Sequence, residues 1–169
     1  MKRDIILIAH NLRSCHNVGS LLRTADGLGI KQVYLTGYSP YPVGGPDSRL
    51  PHERSRIQRQ IHKTALGAEN TTMWQRADDI RPVINQLKAA GYTICALEQT
   101  TKAIALPSYQ PTASTALIIG REVEGLEPDV VAQADYCLEI PMFGHKESFN
   151  VVQAAAMALY HLRFTAYTK

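Results

Sequence analysis

Residues 4–30 read DIILIAHNLRSCHNVGSLLRTADGLGI, and the fold class turns on how that stretch is parsed. From Ile5 to Ala9 the residues are apolar without a polar alternation. This is the pattern of a strand covered on both faces, as in a parallel sheet. A polar break follows, and then Val18, Leu21, Leu22, Ala25 and Leu28 recur at helical spacing. Gly29 stands just past that stripe, where helix ends favour glycine. The segment therefore predicts strand, loop and helix, with Asn17 in position to cap the helix and Arg23 off the buried stripe. Such a strand-to-helix corner is where α/β sheets present ligand-contacting groups.

The same alternation continues along the chain. Further strands are expected at Gln32–Thr36, Thr93–Leu97, Thr115–Ile119 and Tyr136–Ile140, besides Asp4–Ala9. Helices are expected near Val18–Leu28, Asp79–Ala90, Pro128–Ala134 and Asn150–Phe164, with Gly91 closing the second of these. The fold class is thus α/β, a mainly parallel sheet flanked by helices, and 169 residues suit a single domain spanning 1–169. Residues 37–59, GYSPYPVGGPDSRLPHERSRIQR, break the rhythm with four prolines. They predict a long loop with a short helix near Arg54–Ile61, and Arg49, Arg54, Arg56, Arg59 and Lys63 make it the most basic part of the chain.

Composition bounds the function. The apolar fraction of 45% excludes disordered and fibrous classes. A net charge of +3 suits contact with a polyanion without establishing it. Cys15, Cys95 and Cys137 are odd in number and lack a CxxC, which argues against a disulfide framework or a zinc site and for a cytoplasmic protein. The N-terminal MKRDIILIAHNLRS has too short an apolar run for a signal peptide, and no run reaches membrane-spanning length, so no membrane partner is expected. No GxGxxG follows the first strand and no GK[ST] follows the fourth.

Two further strand ends carry glycines. In ALIIGREVEGLEPD, Gly120 falls where the strand must turn, and Glu122, Glu124 and Gly125 follow. In IPMFGHKESFN, Ile140 and Met142 suit a flat ring, Gly144 permits a turn, and Ser148 or Asn150 is placed to cap the last helix. That helix is apolar nearly all round, which predicts the sheet on one side and a second subunit on another.

Taken together, HNVGSLLRTADGLGI (16–30), IIGREVEGL (118–126) and IPMFGHKESFNVVQAAA (140–156) resemble the three signature motifs of SpoU-type RNA 2′-O-ribose methyltransferases of the SPOUT superfamily. KTALGAE at 63–69 resembles a further segment of that family. Phe149, Val152 and Arg121 stand where members often carry Leu, Ser and a small polar residue. The resemblance implies a C-terminal trefoil knot, a homodimer formed through the C-terminal helix, S-adenosylmethionine as cofactor without a metal, and RNA as substrate, tRNA rather than rRNA. It implies Arg23 and Asn17 as catalytic residues, and a cofactor pocket of Gly120, Glu122, Gly125, Ile140, Met142, Ser148 and Asn150, to which Leu97 and Glu98 are added because they stand at the end of the Thr93–Leu97 strand beside the other two loops. Arg13, Arg49, Arg54, Arg56 and Arg59 are candidates for phosphate contacts. Two alternatives stand beside this reading: a non-catalytic RNA-binding or assembly protein that keeps the fold, and a different α/β nucleotide enzyme.

Overall fold

The computed structural model describes residues 3–45 and 47–165. Seven strands form one sheet: β1 (Asp4–His10), β2 (Gln32–Thr36), β3 (Trp74–Ala77), β4 (Thr93–Leu97), β5 (Ile104–Ala105), β6 (Ser114–Ile119) and β7 (Tyr136–Glu139). They lie in the order β3-β2-β1-β6-β4-β7-β5, and every pairing is parallel. The helices are α1 (Cys15–Gly27), α2 (Pro51–Ala65), α3 (Ala68–Thr71), α4 (Ile80–Ala89), α5 (Pro128–Val131) and α6 (Val151–Phe164).

The strands alternate between two apolar layers, as period-2 side chains must. Ile5, Leu7, Ala9, Leu117 and Ile119 pack with α1 and α6, while Ile6, Ile8, Ala116 and Ile118 pack with α4 and α5. All of these residues are buried, which explains the unbroken apolar runs in the sequence. All five expected strands form, and Gly29 and Gly91 follow α1 and α4 with φ of 59° and 81°. Two strands were not legible. β3 is a four-residue edge strand with exposed Gln75 and Arg76 and no apolar run, and β5, though apolar, has only two residues and stops before Pro107.

The helix expected near Arg54–Ile61 forms, but it is longer than expected: it is α2, which runs for 15 residues from Pro51 and takes up the second half of the expected loop at 37–59. The prolines end at Pro51, which occupies the first turn, where a missing N–H costs nothing. The Glu53 carboxylate accepts from the Leu50 N–H at 3.3 Å, and good helix formers follow. A second correction concerns α1. Its cap is Ser14, whose hydroxyl accepts from the Asn17 N–H, so Asn17 lies inside the helix.

α1 and α2 cross at Gly19. A Cβ there would stand 2.2 Å from the Ile61 carbonyl oxygen and 2.3 Å from the Thr64 hydroxyl. Thr64 also donates to the His16 carbonyl at 2.8 Å, so the two helices are locked in register. Gly19→Ala is expected to lower stability by about 1–3 kcal/mol, the usual cost of overpacking, read as a reduced urea midpoint at unchanged m-value.

Candidate active site

Three loops leave the carboxyl ends of β4, β6 and β7, neighbours in the sheet, and converge. Leu97, Glu98, Gly120, Glu122, Gly125, Ile140, Met142 and Ser148 all line one cavity of about 260 Å³. These are eight of the nine positions expected at a cofactor pocket. Asn150 is the ninth, and it serves elsewhere. Its side chain accepts from the Val152 N–H at 2.9 Å and caps α6.

The β6 loop is folded tightly over its own glycine. Arg121 and Gly125 exchange backbone hydrogen bonds at 3.3 and 3.2 Å. A Cβ on Gly120 would lie 2.6 Å from the Gly125 carbonyl carbon and 2.7 Å from the Leu126 nitrogen. Gly125 has φ of 68°, open to glycine at no steric cost. Glu98 pins this turn from the side, accepting from the Leu126 N–H at 2.7 Å and the Gln99 N–H at 3.0 Å. Arg121, the departure from the usual small residue, donates from Nε to the Gly125 carbonyl at 3.3 Å and pairs with Glu127 at 3.5 Å. On the third loop, Gln99 donates to the Glu147 carbonyl at 2.7 Å and ties residues 140–150 to the end of β4.

Glu122 lines the cavity and its carboxylate reaches α1. It accepts from the Asn17 side-chain amide at 2.9 Å and from the Arg13 and Ser14 N–H groups at 3.3 Å. A carboxylate on exposed helix N–H groups is stabilised by the helix dipole as well. Burial pushes this carboxyl up, but the Asn17 amide and the backbone donors outweigh it and hold the pKa below the ordinary glutamate value. The bridge is therefore complete above the ordinary carboxylate range and is lost as pH falls through the depressed value. Asn17 is thus tied to the cavity wall.

Arg23 is not brought into this cavity. It is exposed, six residues beyond Asn17 on α1, and lines a separate depression with Ser20, Thr24, Lys63 and Thr64. Among the candidate phosphate contacts, Arg56 and Arg59 are exposed on α2 and Arg54 is half-buried. Arg13 is exposed and pairs with Glu124 at 3.0 Å, which offsets its charge.

Arg49 requires a correction. Its guanidinium donates to both Asp47 oxygens and to the Tyr41 and Pro42 carbonyls, and it stacks 3.5 Å from the Tyr41 ring centroid. Its hydrogen bonds hold the Asp47 pKa down to about 2. The sequence made it a candidate phosphate contact, whereas its guanidinium is committed to tying Tyr41 and Pro42 to Asp47. The only tryptophan, Trp74, packs against this loop, since a Cβ on Gly44 would meet its ring at 3.0 Å. Arg49→Ala is expected to cost about 2 kcal/mol, the scale of hydrogen bonds to a charged group, and to red-shift Trp74 emission while the far-ultraviolet dichroism stays unchanged.

Val123, Phe149 and Gln99 also line the cavity and were not anticipated. Val123 and Phe149 are exposed apolar side chains on motif loops, 86% and 39% accessible, and that misplacement of apolar residues in otherwise polar loops was the available signal. Among the described residues no group of three or more His, Cys, Asp or Glu side chains could hold a metal, and no helix is long and apolar enough to cross a membrane.

The SpoU rRNA Methylase family matches residues 4–160. A tRNA (guanosine(18)-2′-O)-methyltransferase of Aquifex aeolicus is 26% identical over 159 residues, covering 94% of this chain and 68% of the relative. A putative TrmH family tRNA/rRNA methyltransferase of Staphylococcus aureus is 28% identical over 158 residues, and there the chain spans 57% of the relative's length. A SpoU methyltransferase from Streptomyces viridochromogenes, solved in complex with AdoMet, superimposes with a TM-score of 0.77 at 22% identity, over 96% of this chain and 57% of that one.

Proposed function

The chain belongs to the SpoU rRNA methylase family, and from that membership we propose that it transfers the methyl group of S-adenosylmethionine to a ribose 2′-hydroxyl of RNA, in the cytoplasm, with tRNA as the substrate class. One observation carries this reading: three separate loops, at residues 97–99, 120–125 and 140–151, share a single cavity at the carboxyl edge of the sheet. The preference for tRNA is supported by the Aquifex relative, whose name specifies tRNA.

The cavity suits an adenosyl group. Leu138, Ile140 and Met142 give an apolar wall for a flat base, and the glycines at 120 and 125 let the β6 turn that lines the cavity fold tightly on itself and on Glu98, where a Cβ would collide. When bound, S-adenosylmethionine supplies a methyl carbon on a cationic sulfur, which leaves as a neutral thioether. The chain itself must align the hydroxyl and favour its developing negative charge. Arg23 fits that role as a fixed cation. A guanidinium stays protonated in proteins, so it stabilises the oxyanion rather than accepting its proton, which passes to water. Asn17, held by Glu122, is a positioning residue that fixes the start of α1 relative to the cavity.

Arg23 opens away from the cavity of its own chain, and a second copy resolves the separation. α6 packs beside α1 and leaves Met157, Tyr160 and Phe164 exposed, with the two rings 4.6 Å apart. Burying such a face is favourable at about 25 cal/mol per Å². A homodimer through α6 carries α1 of one chain toward the cavity of the other, so that each site takes Arg23 from its partner. A deep C-terminal trefoil crossing belongs to the same reading. It is supported by β6 lying between β1 and β4 while α6 returns from the far side, at β7, to pack on β6 and β1.

Calorimetric titration tests the cofactor assignment. S-adenosylmethionine is expected to bind one site per chain, and its demethylated product is expected to compete for that site. No binding, or binding unaffected by that product, overturns the assignment.

A further inference from the structure

The depression around Arg23 joins part of the first signature motif, on α1, to the start of the KTALGAE segment, on α2, and it lies apart from the cavity. Ser20, Arg23 and Thr24 share one face of α1 at i, i+3 and i+4, and Lys63 and Thr64 face them from the end of α2. The lining thus holds two cations and three hydroxyls, and no carboxylate. Neither the Arg23 guanidinium nor the Lys63 ammonium makes a hydrogen bond or ion pair with another described residue. The nearby acids are turned elsewhere: Asp26 accepts from Thr71 at 2.8 Å, and Glu69 bonds His62 at 2.6 Å and the Gly67 N–H at 2.9 Å.

The pairing of Lys63 with Arg23 is imposed by the scaffold. Gly19 admits the backbone of α2 against α1, and the Thr64 hydroxyl donates to the His16 carbonyl. Two unpaired cations held together repel each other. Such a site gains when an anion enters, and adjacent hydroxyl donors suit phosphate oxygens. Beyond Lys63 the row continues along the same exposed face of α2 with Arg59 and Arg56, at i−4 and i−7.

We propose that Lys63, with the Ser20 and Thr24 hydroxyls, forms a phosphodiester subsite beside Arg23, and that Arg59 and Arg56 extend it along α2 to the next phosphates of the same RNA strand. The subsite rests on the RNA methyl-transfer reading. It holds the backbone next to the ribose being modified, so Lys63 is a positioning residue, distinct from the catalytic Arg23.

The test compares wild-type protein with Lys63→Gln and Lys63→Arg, using bulk tRNA as the probe. Affinity is measured as a function of salt, alongside steady-state methyl transfer and urea unfolding. Losing one phosphate contact lowers the slope of log K against log[salt] by about 0.7–0.9. Lys63→Gln is expected to show that drop and a several-fold higher KM for tRNA, with kcat within about twofold and an unchanged urea midpoint. Lys63→Arg is expected to restore slope and KM. An unchanged slope in folded Lys63→Gln overturns the subsite, as does a lowered urea midpoint with binding intact. Wild-type protein that binds tRNA with the full slope and transfers no methyl overturns the parent reading, while the slope change in Lys63→Gln still supports the subsite.

Discussion

Arg23→Ala is expected to reduce methyl transfer to tRNA by about 10²–10³-fold, the usual effect of removing one oxyanion stabiliser, while affinity for S-adenosylmethionine stays within about twofold. The second half of this expectation follows from geometry. Arg23 lines the depression with Ser20, Thr24, Lys63 and Thr64 and none of the cavity at Gly120, Ile140 and Met142. Its removal therefore leaves the wall of the methyl-donor site intact. The same separation gives a sharper expectation for mixed dimers. A dimer of one Arg23→Ala chain with one Gly120→Ala chain has one intact cavity facing one intact Arg23. At a cofactor concentration that saturates wild-type protein but not the Gly120→Ala chain, it should recover about half of the wild-type rate, while both parental homodimers stay far below it. An inactive mixed dimer would place Arg23 in the cavity of its own chain.

Gly120→Ala is expected to weaken S-adenosylmethionine binding by about 100-fold while leaving the chain folded. The added methyl would stand within 2.8 Å of three backbone atoms of Gly125 and Leu126, none of which can rotate aside. The turn over residues 121–125 must open, breaking its paired backbone hydrogen bonds and the Glu98 contact to Leu126. Overpacking of this kind costs about 1–3 kcal/mol; at 1.4 kcal/mol per tenfold, the upper part of that range is about two decades of affinity. The core lies beneath β6 and is untouched, so the urea midpoint should move less than the binding constant. Equal affinity in the variant would show that this turn is not a wall of the cofactor site.

The fold was largely legible because burial on both faces of a parallel sheet writes itself as continuous apolar runs. Residues 5–9, 33–35 and 116–119 are such runs, and the glycines at 29 and 91 punctuate the helices between them. What could not be read were elements whose stability comes from position. β3 exists because β2 offers it an edge and Trp74 packs over the 37–50 loop, and its own sequence, WQRA, holds no pattern. α2 was read only in its middle, near 54–61, because the prolines before it obscured its start at Pro51 and Glu53.

At the candidate site, the motif positions were found because glycines and polar residues at strand ends stand out against the apolar runs. Their individual roles were harder to assign. Asn17 and Asn150 look equivalent as caps, yet only Asn150 caps a helix, while Asn17 carries its amide across to Glu122. Arg49 and Arg56 look equivalent as loop charges, yet one is locked onto Asp47 and Tyr41 and the other faces solvent. Such distinctions depend on contacts between residues far apart in sequence, which composition and spacing do not encode.

The most direct measurement is transfer of label from methyl-labelled S-adenosylmethionine to bulk tRNA, followed by nuclease digestion and mass spectrometry of the nucleosides. The label is expected on a 2′-O-methylnucleoside, with wild-type protein and not with Arg23→Ala. Label on a base, or equal labelling by the two proteins, would contradict a ribose-directed site completed by Arg23.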